Sequence, residues 1–158
     1  MRHTLSVLVG DHPGVLSRVA GLFARRGFNI ESISVGASEA AGISRITIAA
    51  NADEETLEQI TKQLHKLIDV VKVSDITADD RVERLLALIK VACDTATRPE
   101  VMQIVDIFRA KIVDVAEKSI IVEITGDRDK VGAILKLLKP YGIKELVQTG
   151  TVAMVRAK

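Results

Sequence analysis

Two hydrophobic periods alternate along this chain, and the alternation occurs twice over. Residues 4–9, TLSVLV, alternate weakly and are rich in β-branched types, which fits a strand. From Val15 the spacing lengthens, and Val15, Leu16, Val19, Ala20, Leu22 and Phe23 fall on one stripe of a helix. Pro13 suits that helix's first turn, Arg25 and Arg26 its last, and Gly27 its stop. Residues 28–36 and 42–50 return to a period of two, with 37–42 as a hairpin loop. In the second run Ile43, Arg45 and Thr47 share one face, and Ser44, Ile46 and Ile48 the other. Residues 53–67 predict a second helix with Leu57, Ile60, Leu64 and Leu67 buried, opened by Asp53, Glu54 and Glu55. Residues 70–77 close the unit as a strand.

The same order then recurs without obvious identity. The spacing predicts a strand over 84–93, a helix over 99–109 (Val101, Ile104, Val105 and Phe108 buried) and strands over 111–117 and 119–125. A helix over 127–138 (Val131, Ile134, Leu135 and Leu138 buried) and one strand over 145–155 complete it. The fold class is therefore α+β, with two ferredoxin-like βαββαβ units, 1–78 and 79–158, meeting at the polar hinge 77–80. Units of this size expose much of their surface, so pairing with further copies is expected.

Composition removes several functions. Lys and Arg total 22 against 21 Asp and Glu, a net charge of +1, so there is no basic footprint for nucleic acid or anionic lipid. The βαββαβ order is shared with a common RNA-binding fold, but aromatic residues are only 3%, too few for stacking bases. No apolar run reaches the ~20 residues of a membrane span; the run 85–93 is cut by Lys90. The amino-terminal apolar run leads into an acid and a proline, and reads as a strand rather than a signal peptide. A single cysteine, Cys93, excludes an internal disulfide, fits a cytoplasmic protein, and reads as a small buried hydrophobe. His3, His12 and His65 are scattered, read as solvated or interface side chains, and have no metal-ligand spacing with Cys93. Asp79 and Asp80 read as hinge charges. No nucleophile–base pair or phosphate-binding glycine loop is present, so no catalytic and no metal-binding residue is assigned.

One stretch does not reduce to core or surface: Gly10-Asp11-His12-Pro13-Gly14-Val15-Leu16, GDHPGVL. It is either a tight turn or the start of a helix that presents free N–H groups to an anion. Gly14 leaves the backbone approachable, and Asp11 could cap the helix or accept a hydrogen bond from a ligand amine. Asn29, after the helix stop, is either a turn residue or an amide that reads an amino-acid head group. Spacing alone favours the plain turn at both places.

The longer stretch GDHPGVLSRVAGLFARRGFNIESISVG resembles the N-terminal ACT domain of the small regulatory subunit of acetohydroxyacid synthase, also called acetolactate synthase. The likeness continues through SRITI, LEQITKQLHKLIDVVKV and FRAKIVDV, covering nearly the whole chain. It implies a non-catalytic protein that binds a large catalytic subunit carrying thiamine diphosphate, Mg and FAD. It implies that this protein activates the large subunit and confers feedback inhibition by valine, sometimes by other branched-chain amino acids such as isoleucine. It further implies a homodimer in which two ACT domains join their sheets, with effector bound at the interface. By position, Asp11, His12, Pro13, Gly14, Val15 and Leu16 of one copy would meet Asn29 and Ile30 of the other. The N–H groups around Gly14 to Leu16 would hold the carboxylate, Asn29 the head group and Ile30 the side chain. Asp11 departs from the pattern, since Asn often stands there in valine-sensitive members; an ionised acid cannot donate and repels a carboxylate. The matching loop of the second half, 92–101, lacks the glycine. The runner-up reading is a free-standing amino-acid-binding ACT regulator of another enzyme.

Overall fold

The computed structural model describes residues 1–158 and divides into two compact units, Met1–Val82 with Thr151–Lys158, and Glu83–Gly150. The sequence places the division at 78/79 and reads 145–155 as one strand of the second unit. Instead the chain breaks that strand around Gly150, and the final segment joins the first unit. There Thr151 N–H donates to Ser32 Oγ at 2.9 Å, and Arg156 N–H donates to the Asp80 carbonyl at 2.9 Å.

In the first unit β1 (Arg2–Gly10), α1 (Val15–Arg25), β2 (Ile30–Ala37), β3 (Ile43–Asn51), α2 (Glu54–His65) and β4 (Val70–Asp75) form an antiparallel sheet of order β2-β3-β1-β4 with two helices. Leu5, Val7 and Val9 of β1 and Ile46, Ile48 and Ala50 of β3 face Val15, Val19, Leu22 and Phe23 of α1 and Leu57, Ile60 and Leu64 of α2 in one core. The α1 stripe is narrower than expected, for Leu16 is 47% exposed and Ala20 is exposed. The strand positions between the core residues are buried too: Thr4, Ser6, Thr47 and Ala49 lie on the opposite face. His3, expected as a solvated or interface side chain, is 4% exposed within the first unit, and its Nε2 donates to the Ala52 carbonyl at 3.1 Å.

The second unit repeats the plan with β5 (Arg81–Ala92), α3 (Arg98–Ile107), β6 (Lys111–Val115), β7 (Ser119–Gly126), α4 (Arg128–Leu138) and β8 (Ile143–Gln148), in sheet order β6-β7-β5-β8. A short strand, β9 (Val152–Val155), belongs to the first unit, as do Arg81 and Val82 at the start of β5. Ala87, Ile89, Val91, Val101, Val105, Ile120, Val122, Ile124, Val131, Ile134 and Leu138 make its core, with Cys93 buried among them.

The likeness of the two units extends to their irregularities. Each first-to-last strand pairing shifts register once, at Leu8/Val9 and at Lys90/Val91, and so does each edge pairing, at Ile30/Ser32 and at Ile112/Asp114. Gly10 N–H donates to the Asp69 carbonyl at 2.8 Å, and Ala92 N–H donates to that of Gly142 at 2.8 Å. Both first helices end on a left-handed residue, Gly27 at φ 70° and Arg109 at φ 53°. One shift in numbering relates Gly10 to Ala92, Gly14 to Ala96, Val15 to Thr97 and Gly27 to Arg109. No helix is long and apolar enough to cross a membrane.

Candidate functional site

The GDHPGVL stretch joins β1, at the centre of the first sheet, to α1. Val15 N–H donates to the His12 carbonyl at 3.4 Å, closing a turn over Pro13 and Gly14. Gly14 has φ 85° and ψ −5°, the third position of a type II turn, where a side chain is disfavoured and a proline before it is favoured. Pro13 is therefore a turn residue outside the helix, not a first-turn residue as expected. Gly14 is the N-cap, and the first helical bond runs from Arg18 N–H to the Gly14 carbonyl at 3.0 Å.

No side chain caps α1. The same is true of α3, whereas in α2 Asp53 accepts from Thr56 N–H at 2.7 Å and in α4 Asp127 accepts from Lys130 N–H at 2.8 Å. Asp11 does not act as the cap; its own N–H donates to the Gly42 carbonyl at 2.8 Å and its side chain is exposed. His12 is exposed but folds back on Gly10, where an added Cβ would stand 2.9 Å from Nε2. The Val15 side chain is buried in the core, so only its backbone faces the turn, whereas Leu16 is accessible. The helix dipole leaves partial positive charge at this end.

Two residues that the sequence reading passed over complete the place. Arg18 forms an ion pair with Asp69, in the turn before β4, and the Asp69 carbonyl is the acceptor for Gly10 N–H. The other end of the guanidinium, Nη1, lies 3.4 Å from where a Cβ on Gly14 would stand. The signal was the spacing: Arg18 is four residues after Gly14, hence one turn above it on the same face.

Asn29 and Ile30 stand where α1 gives way to β2. Asn29 is exposed, and Ile30 is half-buried against the core of its own unit. Strand β2 has β3 on one side and no strand on the other, so its outer N–H and C=O groups form a free edge.

The second unit shows what such a loop does with a carboxylate. Asp94 Oδ1 accepts from the N–H groups of Ala96 at 3.0 Å and Thr97 at 2.9 Å, and from the Thr97 hydroxyl at 3.1 Å. These bonds, those of Thr97 first, hold the Asp94 carboxyl below the usual aspartate range. Ala96 and Thr97 correspond to Gly14 and Val15, and Asp94 to His12. The second unit carries its own acid at these amides, whereas in the first Val15 N–H is held by the His12 carbonyl and no side chain takes the Gly14 N–H.

Known proteins resemble this chain over both of its units. Residues 84–157 match a family model described as the small subunit of acetolactate synthase, and residues 5–72 one described as an AHAS small subunit-like ACT domain. The acetolactate synthase small subunit of Mycobacterium leprae is 55% identical over 154 residues, spanning 98% of this chain and 91% of its own. This chain belongs to the acetolactate synthase small subunits. A probable acetolactate synthase small subunit from Archaeoglobus fulgidus is likewise 55% identical, over 99% of this chain and 98% of its own. The crystal structure of the small subunit from Thermotoga maritima superposes with a TM-score of 0.92 at 49% identity, covering 100% of this chain and 99% of that one. The first unit is thus a regulatory ACT domain, and the second is the part characteristic of the small subunit itself.

Proposed function

We propose that this chain is a non-catalytic regulatory subunit that binds the catalytic subunit of acetolactate synthase in the cytoplasm, raises its activity and makes it sensitive to valine. The catalytic partner would carry thiamine diphosphate, Mg and FAD; this chain would hold none of them. Valine would lie between residues Asp11 to Leu16 of one copy and Asn29 with Ile30 of a second, in a homodimer formed through the first unit.

The observation that carries the proposal is the turn before α1, where no side chain takes the Gly14 N–H although an acid takes the corresponding N–H of the second unit. A carboxylate already occupies the corresponding amides of Ala96 and Thr97. An amino-acid carboxylate would take the Gly14 N–H as Asp94 takes that of Ala96, with the Leu16 N–H beside it, the Val15 N–H being held by the His12 carbonyl. The free edge of β2 suits a second copy, because pairing there would continue the sheet.

The magnitudes suit feedback control. Burying a valine-sized side chain is worth about 1.5–3 kcal/mol. A charge at a helix terminus adds about 0.3–2 kcal/mol, before the cost of association is met. Weak binding follows, and an allosteric coupling of about 1–3 kcal/mol would suffice to alter the partner's rate. Asp11 tempers the attraction, since its exposed acid stands beside the ligand's carboxylate.

Calorimetric titration of valine into the wild type and Gly14→Asp tests the site, and equal binding by both proteins would refute it. Addition of the chain to a catalytic acetolactate synthase subunit should raise the turnover rate and make it fall with valine. An unchanged rate in a mixture that co-purifies would refute the activating role.

A further inference from the structure

We infer that Arg18 selects a ligand bearing a carboxylate at the turn before α1, through the end of its guanidinium that Asp69 leaves unengaged. This rests on the effector reading above and adds a residue and a charge requirement to it.

The argument starts from how the guanidinium is divided. Nη2 donates to the Asp69 carboxylate, while Nη1 points to the Gly14 turn. A planar fork with five N–H donors can serve two acceptors at once, which an ammonium group cannot do in fixed geometry. The Asp69 side chain is 12% exposed and that of Arg18 50%, so the member of the pair that solvent and ligand can reach is the cation. The pairing also fixes where the cation sits, because Asp69 is bound to β1 through Gly10 N–H.

The second unit supplies the contrast. The shift that relates Gly14 to Ala96 relates Arg18 to Glu100, and Asp69 corresponds to Gly142 through their matching bonds to β1. Glu100 accepts from the Tyr141 hydroxyl at 2.7 Å, so both units tie the first helix to the turn before the last strand. The tie is conserved in place and reversed in sign. Where Asp94 closes the loop, the side chain one turn on is an anion; where no acid stands at the Gly14 N–H, it is a cation. Each sign suits its partner, since Asp69 calls for a cation and the Tyr141 hydroxyl for an acceptor, but only in the first unit does the fastening leave a cation beside the turn, with Nη1 directed at Gly14.

The test is an NMR shift titration of the Gly14 amide in the full chain with L-valine and with valinamide, which keeps the amine and side chain but lacks the carboxylate. Arg18→Gln should weaken valine about 10- to 100-fold, the worth of a charge-assisted hydrogen bond, and valinamide by less than about threefold. Arg18→Glu, which copies the second unit, should abolish valine binding. Asp69→Asn removes the tie but keeps the cation, and should retain valine within about threefold. Circular dichroism melts confirm that each variant is folded. Equal losses for both ligands in Arg18→Gln, or a loss in Asp69→Asn as large as in Arg18→Gln, would overturn the inference by showing a structural role. Unchanged valine affinity in Arg18→Gln would overturn it directly. Failure of the wild type to bind valine would instead remove the effector reading on which it stands.

Discussion

Replacing Gly14 with alanine separates the conformational demand of the turn from any effect of charge. Gly14 holds φ 85°, where an L-residue costs roughly 1–2 kcal/mol. Alanine offsets about 0.4–1 kcal/mol of that by restricting the unfolded chain. The new methyl group would meet only Arg18 Nη1, at 3.4 Å, the far end of a flexible side chain, so sterics add little. The net expectation is a loss of about 1 kcal/mol, or ~4–8 °C in melting temperature for a domain of this size. Gly36 is the control: it lies within β2, has nothing within 4 Å of an added Cβ, and is absent from the left-handed residues. Alanine there should be neutral or stabilising by up to about 1 kcal/mol. Gly14→Asn should fall between wild type and Gly14→Ala, because asparagine tolerates the left-handed region. Scanning calorimetry reads the series. The one tyrosine, Tyr141, lies in the second unit, so its fluorescence marks that unit's transition. A Gly14→Ala protein that melts at or above wild type, or a Gly36→Ala protein that loses as much, would refute the turn's role.

Three further outcomes can be checked. Phe23→Ala, at a site 1% exposed in the first core, should cost about 3–5 kcal/mol by chemical denaturation. The hydrogen bonds to Asp94 depress its pKa, so their stabilisation is present above the unfolded value and is lost as pH falls through the lower folded one. The Thr97 amide shift should accordingly titrate below the usual aspartate midpoint, and Asp94→Asn should abolish that titration. The Tyr141 phenol is raised above its ordinary value, chiefly by its hydrogen bond to Glu100, so its ultraviolet titration should move to lower pH in Glu100→Gln.

Periodicity placed all four helices to within a few residues because each buries a stripe that only one period can produce. It overreached at Leu16 and Ala20, which the short helix turns outward. It joined β8 to β9 because Gly150 lies in an otherwise strand-like run, and alternation alone does not register which unit a strand serves. A fragment ending near Asp79 would consequently lose the bonds from Thr151 to Ser32 and from Arg156 to Asp80. At the site, the Pro-Gly pair carried the turn, but the choice between a capped and an uncapped helix hung on where the Asp11 carboxylate points. That depends on tertiary bonds, here from Asp11 N–H to Gly42 across the sheet. Asp69 was illegible for the same reason, lying 51 residues from the arginine it binds. His3 misled because a histidine near a chain terminus looks solvated until the Ala52 carbonyl is found opposite it.

The acid in the second unit has a kinetic and competitive meaning beyond capping. Asp94 is tethered two and three residues from the amides it binds, so its carboxylate is present there at a high effective concentration, of the order of millimolar or more. A dissolved metabolite would have to outcompete that tethered acid before it touched α3. At α1 the geometry is fixed by one left-handed glycine, and no side chain must first be evicted. The proposed effector would meet a surface with no tethered side chain on it, so its affinity would suffer no loss from a competing closed state. On the proposed reading, duplicated folds are made unequal cheaply: one carboxylate on a short leash would silence one copy, and the other would stay responsive to the surrounding pool.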